Sequence, residues 1–221
     1  MLIWMRLLFI RHGQTIDNVN GALGTVIPGP PLTALGRQQS EAVPAAVADE
    51  KIDAIYASVM LRTQLTAAPL GRVLELGVEV IDGIQEIDAG QLEGRSDKDS
   101  MSAYLGTIFS WWVDSDARIP GGESGTEFFA RFDSAIATIA DRHEGTVAVV
   151  SHGAAIRTWT ARASENLDAE FTRTHELGNT GVVAVEGSPA TGWVTVEWTG
   201  SPVGGAQLAD ATAPDPTGEA R

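Results

Sequence analysis

The chain has 221 residues, enough for one well-filled α/β core, and carries a formal net charge of −14, from 15 Lys and Arg against 29 Asp and Glu. That balance argues against a nucleic-acid backbone or an anionic membrane surface as the principal partner. The absence of cysteine excludes disulfides and thiol chemistry, and composition therefore predicts a cytoplasmic protein.

The opening stretch, "MLIWMRLLFI", is interrupted by Arg6 and is followed by no small-residue cleavage site. It reads as a short leader and a core strand from about Leu7 to Arg11, not as a signal peptide. No stretch approaches the ~20 uninterrupted apolar residues that a membrane helix needs. The Gly- and Pro-rich loop "NGALGTVIPGPP" leads to Thr33, which is placed to cap a helix beginning at Ala34. Pro44 falls inside that helix and predicts a kink or a split. "DAIYAS", residues 53–58, reads as the second strand, with Ser58 placed to cap the next helix and Arg62 in its first turns. "VEVID" reads as a third strand, and the loop "GIQEIDAGQLEG" after it is too glycine-rich to be regular.

The aromatic insert 104–112, with Tyr104, Phe109, Trp111 and Trp112, suits either a lid over a pocket or plain core packing. Phe128, Phe132, Ile136 and Ile139 recur at helical spacing and predict a one-faced helix from Gly125, with Gly145 as its C-cap. "TVAVVSH" reads as a fully buried strand, and "AAIRTWTARA" as a helix directly behind Gly153. "TGVVAVEG" and "GWVTVEW" bracket "SPAT" as an edge hairpin. The alternation predicts an α/β three-layer sandwich: a mostly parallel sheet with an antiparallel edge strand and helices on both faces. Residues 1–200 form the predicted domain. Residues 201–221, without aromatics and poor in large apolar side chains, are predicted to be a disordered tail outside the fold.

Two of the predicted strands end alike, in "LLFIRHGQT" and "VAVVSHG". Functional side chains of an open parallel sheet gather beyond the carboxyl ends of its strands, where helix N-termini offer unsatisfied N–H groups to anions. A glycine behind each histidine allows a sharp turn and the close approach of a ligand. Arg11 adjoins His12, and Arg62 enters from the next strand-helix unit; both guanidinium groups suit bidentate contact with phosphate oxygens. A neutral imidazole is a competent nucleophile toward phosphorus, and Glu86 is the candidate general acid for the leaving group. His143 and His175 read as structural or solvated. No histidine pair has the short helical spacing of a zinc motif, so no metal is expected.

Taken in order, "LLFIRHGQTIDN", "PLTALGRQQ", "YASVMLRTQLTAA", "QEIDAGQLEG", "PGGES" and "VVSHGAAIR" resemble the motifs of the histidine phosphatase superfamily, the phosphoglycerate mutase-like proteins, over most of residues 7 to 200. The resemblance implies that His12 becomes phosphorylated and that Arg11, Arg62 and His152 complete the phosphate pocket. It also makes Glu86 the proton donor and later the base for water, brings Asn18 to the phosphoryl group, and lets the backbone of Gly153 contribute a donor. It implies no cofactor and no metal. Leu92 stands where an aromatic residue often precedes the Glu-Gly pair, and Pro31 where an aspartate is common.

The expected function is therefore a metal-independent phosphatase of histidine acid type, hydrolysing a small phosphate monoester through a phosphohistidine on His12. The alternatives are phosphoglycerate mutase-type phosphoryl transfer and a non-catalytic phosphate-binding regulatory module. Asp17 before Asn18, where mutases of the family carry a tryptophan-asparagine pair, favours the phosphatase. The expected partner is a small phosphorylated metabolite, with no nucleic acid and no membrane, in a chain that could form a homodimer.

Overall fold

The structure is a computed structural model that describes residues 4–219. Six strands form one sheet in the order β3-β2-β4-β1-β5-β6. They are β1 (Met5–Arg11), β2 (Ile52–Ser58), β3 (Val78–Ile81), β4 (Thr146–Ser151), β5 (Val182–Ser188) and β6 (Gly192–Thr199). The first four are mutually parallel, while β5 runs antiparallel to β1 and β6 antiparallel to β5. The mostly parallel sheet with its closing hairpin is the arrangement expected from the sequence.

Central parallel strands are covered on both faces and so lack polar alternation. Leu7, Phe9, Val147 and Val149 belong to one core, with Ile10, Ala148 and Val150 in the other. The larger core takes in residues of α4 (Lys98–Ser110), α5 (Gly125–Ala140) and α6 (Gly153–Ala163). The smaller one takes in Val43 from α2 (Ala34–Ala46) and Ala67 and Leu70 from α3 (Leu61–Leu74). Phe132 is the hub of the larger core, with ring centroids 6.1 Å from Phe9, 5.7 Å from Phe128 and 5.2 Å from Trp159. Phe132→Ala is expected to cost about 3–5 kcal/mol of stability, read as a lower urea midpoint.

Several local expectations change. Thr33 does cap α2, accepting from Gly36 N, but Pro44 falls in the last turn and the helix continues to Ala46. Ser58 is not a helix cap: Met60 precedes α3, and the Ser58 hydroxyl turns inward to His152 instead. Gly145 is not the C-cap of α5, which ends at Ala140 with Asp141 after it. The aromatic insert is core, not lid. Tyr104 is buried and donates to the carbonyl of Ile87, and Trp111 stacks on Phe128 at 5.7 Å.

Of the stretch 201–221, expected from its composition to lie outside the fold, residues 220 and 221 lie outside the described residues and 201–219 packs against the domain. Val203 joins the smaller core, and Gln14 and Gln39 donate to Asp210 and to the carbonyl of Leu208. Residues 216–218 are buried. The attachment of this segment is largely polar, which is why apolar content failed to reveal it. Among the described residues no helix is long and apolar enough to cross a membrane.

Candidate active site

Register brings the two histidines together. Arg11 pairs with Ser151 in the last step of the β1–β4 ladder, so His12 and His152 leave the sheet side by side, from strands that lie about 4.8 Å apart. Their ring centroids are 5.2 Å apart, inclined at 59°. Both are buried.

Each ring is held by its own partners. His12 Nδ1 lies 2.8 Å from the carbonyl of Gly13; a carbonyl only accepts, so Nδ1 carries the hydrogen and Nε2 keeps its lone pair. His152 Nε2 lies 2.8 Å from Ser58 Oγ. Thr63 donates its hydroxyl hydrogen to the carbonyl of Met60 at 2.7 Å. Ser58 therefore donates to Thr63 at 2.9 Å and accepts from His152 Nε2–H. Burial, reinforced by Arg62, depresses both imidazoles well below the usual histidine range. Both rings are neutral at pH 7.

The glycine behind His12 has a packing cause. A Cβ on Gly13 would stand 2.6 Å from the carbonyl oxygen of Gly36 in α2, so the loop after β1 can touch that helix only as glycine. Thr66 in α3 then accepts from Gly13 N at 2.9 Å. A Cβ on Gly153 would stand 2.8 Å from the carbonyl oxygen of Thr217 and 2.9 Å from Arg11 Nε.

Arg62 lies in the first turn of α3, buried, with Nη2 donating to the carbonyl of Gly24 at 2.9 Å. Burial lowers its pKa to about 10 against the support of Glu86 and Asp17; it is still a cation at neutral pH. Its Nε and Nη1, together with Arg11 Nε and His152 Nδ1, are buried polar atoms without a partner. The three arginine nitrogens are donors, and buried donors left unpaired are costly unless an acceptor joins them.

Glu86 sits in the loop after β3 with its carboxyl group over the start of α6. Oε1 accepts from Ile87 N at 3.0 Å and from Ala155 N at 2.8 Å, and Oε2 accepts from Ala154 N at 3.2 Å. Its own carboxylate thus uses the helix N-terminus that the sequence reserved for a ligand. Burial raises its pKa, against the lowering by these amides and by Arg62.

Asn18, in the short helix α1 (Ile16–Asn20), is buried in a capping box with Thr15. Its Nδ2 donates to Asp215 Oδ1 at 3.3 Å. Arg11 is fully buried and makes a bidentate ion pair with the same carboxylate: Nη1 meets Oδ2, and Nη2 lies 2.7 Å from Oδ1. Nη1 also donates to the carbonyl of Leu177 at 2.8 Å and Nη2 to Thr217 Oγ1 at 3.2 Å.

His12, Asn18, Arg62, Glu86 and Thr217 bound a cavity of about 20 Å³. Beside it, sharing Thr25 and Glu86, opens a cleft of about 390 Å³ lined by Val26, Ile27, Gln85, Asp88, Glu123 and Arg131. Of the residues singled out in the sequence, His12, Asn18, Arg62 and Glu86 line the small cavity, His152 lies against His12, Arg11 shares Asp215 with Asn18, and Gly153 lies against Arg11. The sequence reading missed Ser58, Thr63, Asp17 and the whole of the contribution from residues 215–217. Nothing local signalled Asp215. Among the described residues no group of three or more His, Cys, Asp or Glu could hold a metal ion.

Together these features put two imidazoles side by side at the carboxyl edge of an α/β sheet, with the buried cations Arg11 and Arg62 close enough to lower the pKa of both. Residues 7–199 match the histidine phosphatase superfamily (branch 1), and the chain belongs to that family. It is 36% identical, over 220 residues, to PE-PGRS family protein PE_PGRS11 of Mycobacterium tuberculosis, a match covering 92% of this chain and 38% of that protein. The chain thus spans under two-fifths of that relative's length. It is 30% identical to Phosphoserine phosphatase 1 of Hydrogenobacter thermophilus over 156 residues, 69% of this chain and 73% of the relative. Among solved structures, it is similar to Mycobacterial hydrolase 1 (TM-score 0.75, 26% identity, 90% of this chain and 99% of that one). The alpha-ribazole phosphatase from Shigella flexneri is a second such structure (TM-score 0.70, 27% identity, 91% and 99% covered).

Proposed function

We propose that the protein is a phosphatase that hydrolyses small phosphate monoesters through a phosphohistidine on His12. The observation that carries this reading is the pair of buried imidazoles, His12 and His152, 5.2 Å apart beside two buried arginines that each keep an unpartnered nitrogen. Relatives named for phosphatase activity toward phosphoserine and alpha-ribazole phosphate support it.

In the first step the Nε2 lone pair attacks phosphorus and the bond from phosphorus to the ester oxygen breaks, with Glu86 giving its proton to the departing oxygen. In the second step Glu86 takes a proton from water as that water attacks phosphorus, and the P–N bond breaks. Phosphate leaves and His12 is restored with its Nδ1 hydrogen still on the carbonyl of Gly13. The guanidinium groups take up the charge on the transferred oxygens. His152, neutral when the pocket is empty, becomes a donor at Nδ1 if it takes up a proton beside the incoming anion.

The cleft beside Glu86 bears on the leaving group. Arg131 is its cation, and all five of its donors are engaged. Nε and Nη2 bind Glu123 at 2.8 and 2.6 Å, and Nη1 and Nη2 bind the carbonyls of Gly83, Gln85 and Glu86 at 2.7, 3.0 and 3.1 Å. Asp88 is exposed at the same mouth. A second anionic group on the substrate would meet a carboxylate and no free donor of Arg131. This favours esters of neutral alcohols, and phosphatase over mutase action on 3-phosphoglycerate.

The test is phosphate release from glycerol phosphate and from 3-phosphoglycerate, the latter with and without a bisphosphoglycerate primer. Isomerisation of 3-phosphoglycerate without free phosphate would establish the mutase instead. Asp88→Lys is expected to improve kcat/KM for 3-phosphoglycerate about three- to tenfold relative to glycerol phosphate; an unchanged ratio refutes the charge argument alone.

A further inference from the structure

Residues 200–219 contain three carboxylates, at Asp210, Asp215 and Glu219, and no lysine or arginine. Of these, Asp215 is the one that binds the residue before His12. It is held by Arg11 and Asn18, two of the groups expected to take phosphoryl oxygens. A carboxylate matches a guanidinium fork in the same bidentate way as phosphate does. With Asp215, Leu177 and Thr217 in place, the four terminal hydrogens of Arg11 are engaged and Nε alone is left for a ligand.

The room left is correspondingly small. The cavity between His12, Arg62 and Glu86, about 20 Å³, has Thr217 as one of its walls. Thr217 is pinned there: its carbonyl accepts from Arg157 Nη1 at 3.0 Å, and Leu177 N donates to the carbonyl of Gly218 at 2.7 Å.

What anchors the segment is nevertheless weak against competition. After Leu208 it carries no large apolar side chain. It is held by one ion pair, whose carboxylate is 16% exposed, and by hydrogen bonds from Arg11, Gln14, Asn18, Arg157 and Leu177 N. Segments held in this way, with little apolar burial, open at low cost.

We propose that the 209–219 segment is a built-in competitor of the phosphoryl group, with the Asp215 carboxylate occupying the Arg11–Asn18 position and Thr217 filling the space in front of His12. The inference rests on the phosphoryl-site reading above. Substrate enters when the segment is displaced, and apparent affinity is reduced by the fraction of molecules in which the segment is seated.

The full chain, Asp215→Asn and Asp215→Ala are compared in inhibition by inorganic phosphate and in turnover of 4-nitrophenyl phosphate. Both variants are expected to lower KM and the phosphate inhibition constant about tenfold, with kcat changed less than about twofold. Unchanged or weakened phosphate affinity in both variants, or a fall in kcat, would make Asp215 a support for Arg11 and overturn the proposal. Hydrogen exchange gives a second reading on the unaltered chain. Saturating phosphate should speed exchange at the amides of Leu177, Asp215 and residues 217–219, and equal or greater protection overturns the proposal. Failure of the hydrolytic reading would look different: turnover would survive His12→Asn while the shift in phosphate affinity on altering Asp215 remained.

Discussion

His12→Asn is expected to lower turnover of 4-nitrophenyl phosphate by about 10⁴-fold or more, because removing the nucleophile from a covalent pathway leaves only binding and charge stabilisation. The imidazole is the sole candidate in position to attack. His152 has its Nε2 hydrogen committed to Ser58, and its buried, unpartnered Nδ1 is wanted as a proton-bearing contact once an anion is present. Asparagine is the chosen replacement because its amide hydrogens can take over the bond from Nδ1 to the carbonyl of Gly13, so the loop behind β1 keeps its partner. The same variant should lose the acid-labile, alkali-stable phosphoryl label that brief mixing with substrate puts on the unaltered protein. Turnover within tenfold of the parent, or an undiminished label, would place the nucleophile elsewhere.

The depressed pKa of His12 sets the acid side of the pH profile. As free imidazole it would be protonated, and inert, below about 6.5; burial beside Arg62 and Arg11 moves that loss to well below 6.5. Attack therefore persists into mildly acidic solution, where an ordinary histidine would already be silent.

The parts of this site that the sequence displays are those fixed by short-range geometry. A strand that ends in Arg-His-Gly, aligned in parallel with one that ends in Ser-His-Gly, delivers both rings to one edge whatever the rest of the chain does. Strand-helix alternation and the apolar spacing of Phe128, Phe132, Ile136 and Ile139 likewise need no tertiary information. What stayed hidden depends on distant partners. Ser58 has the composition of a helix cap, yet its hydroxyl finds His152, 94 positions away. The aromatic insert has the look of a lid because its neighbours in the core lie 17 or more residues off, at Ile87 and Phe128. The 201–219 segment shows only a lack of apolar bulk; that its Asp215 meets Arg11 across 204 positions leaves no mark in local composition. Nor does glycine usage report its cause. Gly13 reads as freedom for a turn, whereas in the fold it is the clearance between a loop and Gly36 of α2.

Glu86→Gln is expected to produce a loss that depends on the leaving group. Alkyl phosphates, whose departing alkoxide needs a proton, should lose about 10²–10⁴-fold in kcat/KM. 2,4-Dinitrophenyl phosphate, whose phenolate leaves unaided, should lose less than about tenfold in formation of the phosphoenzyme. Geometry selects the oxygen. Oε1 already accepts two backbone hydrogens, from Ile87 and Ala155, while Oε2 accepts one at 3.2 Å and has a free position for the proton. The pH dependence carries the sign. Burial raises the pKa of Glu86, so its acid form survives to higher pH than a solvated carboxyl group would. Activity toward alkyl esters falls as pH rises through that raised value, and the glutamine variant should lose this limb while keeping the acid limb set by His12. Equal losses for the two esters, or a basic limb that persists in the variant, would remove Glu86 from proton transfer and leave it as the polar group that fills the N-terminus of α6.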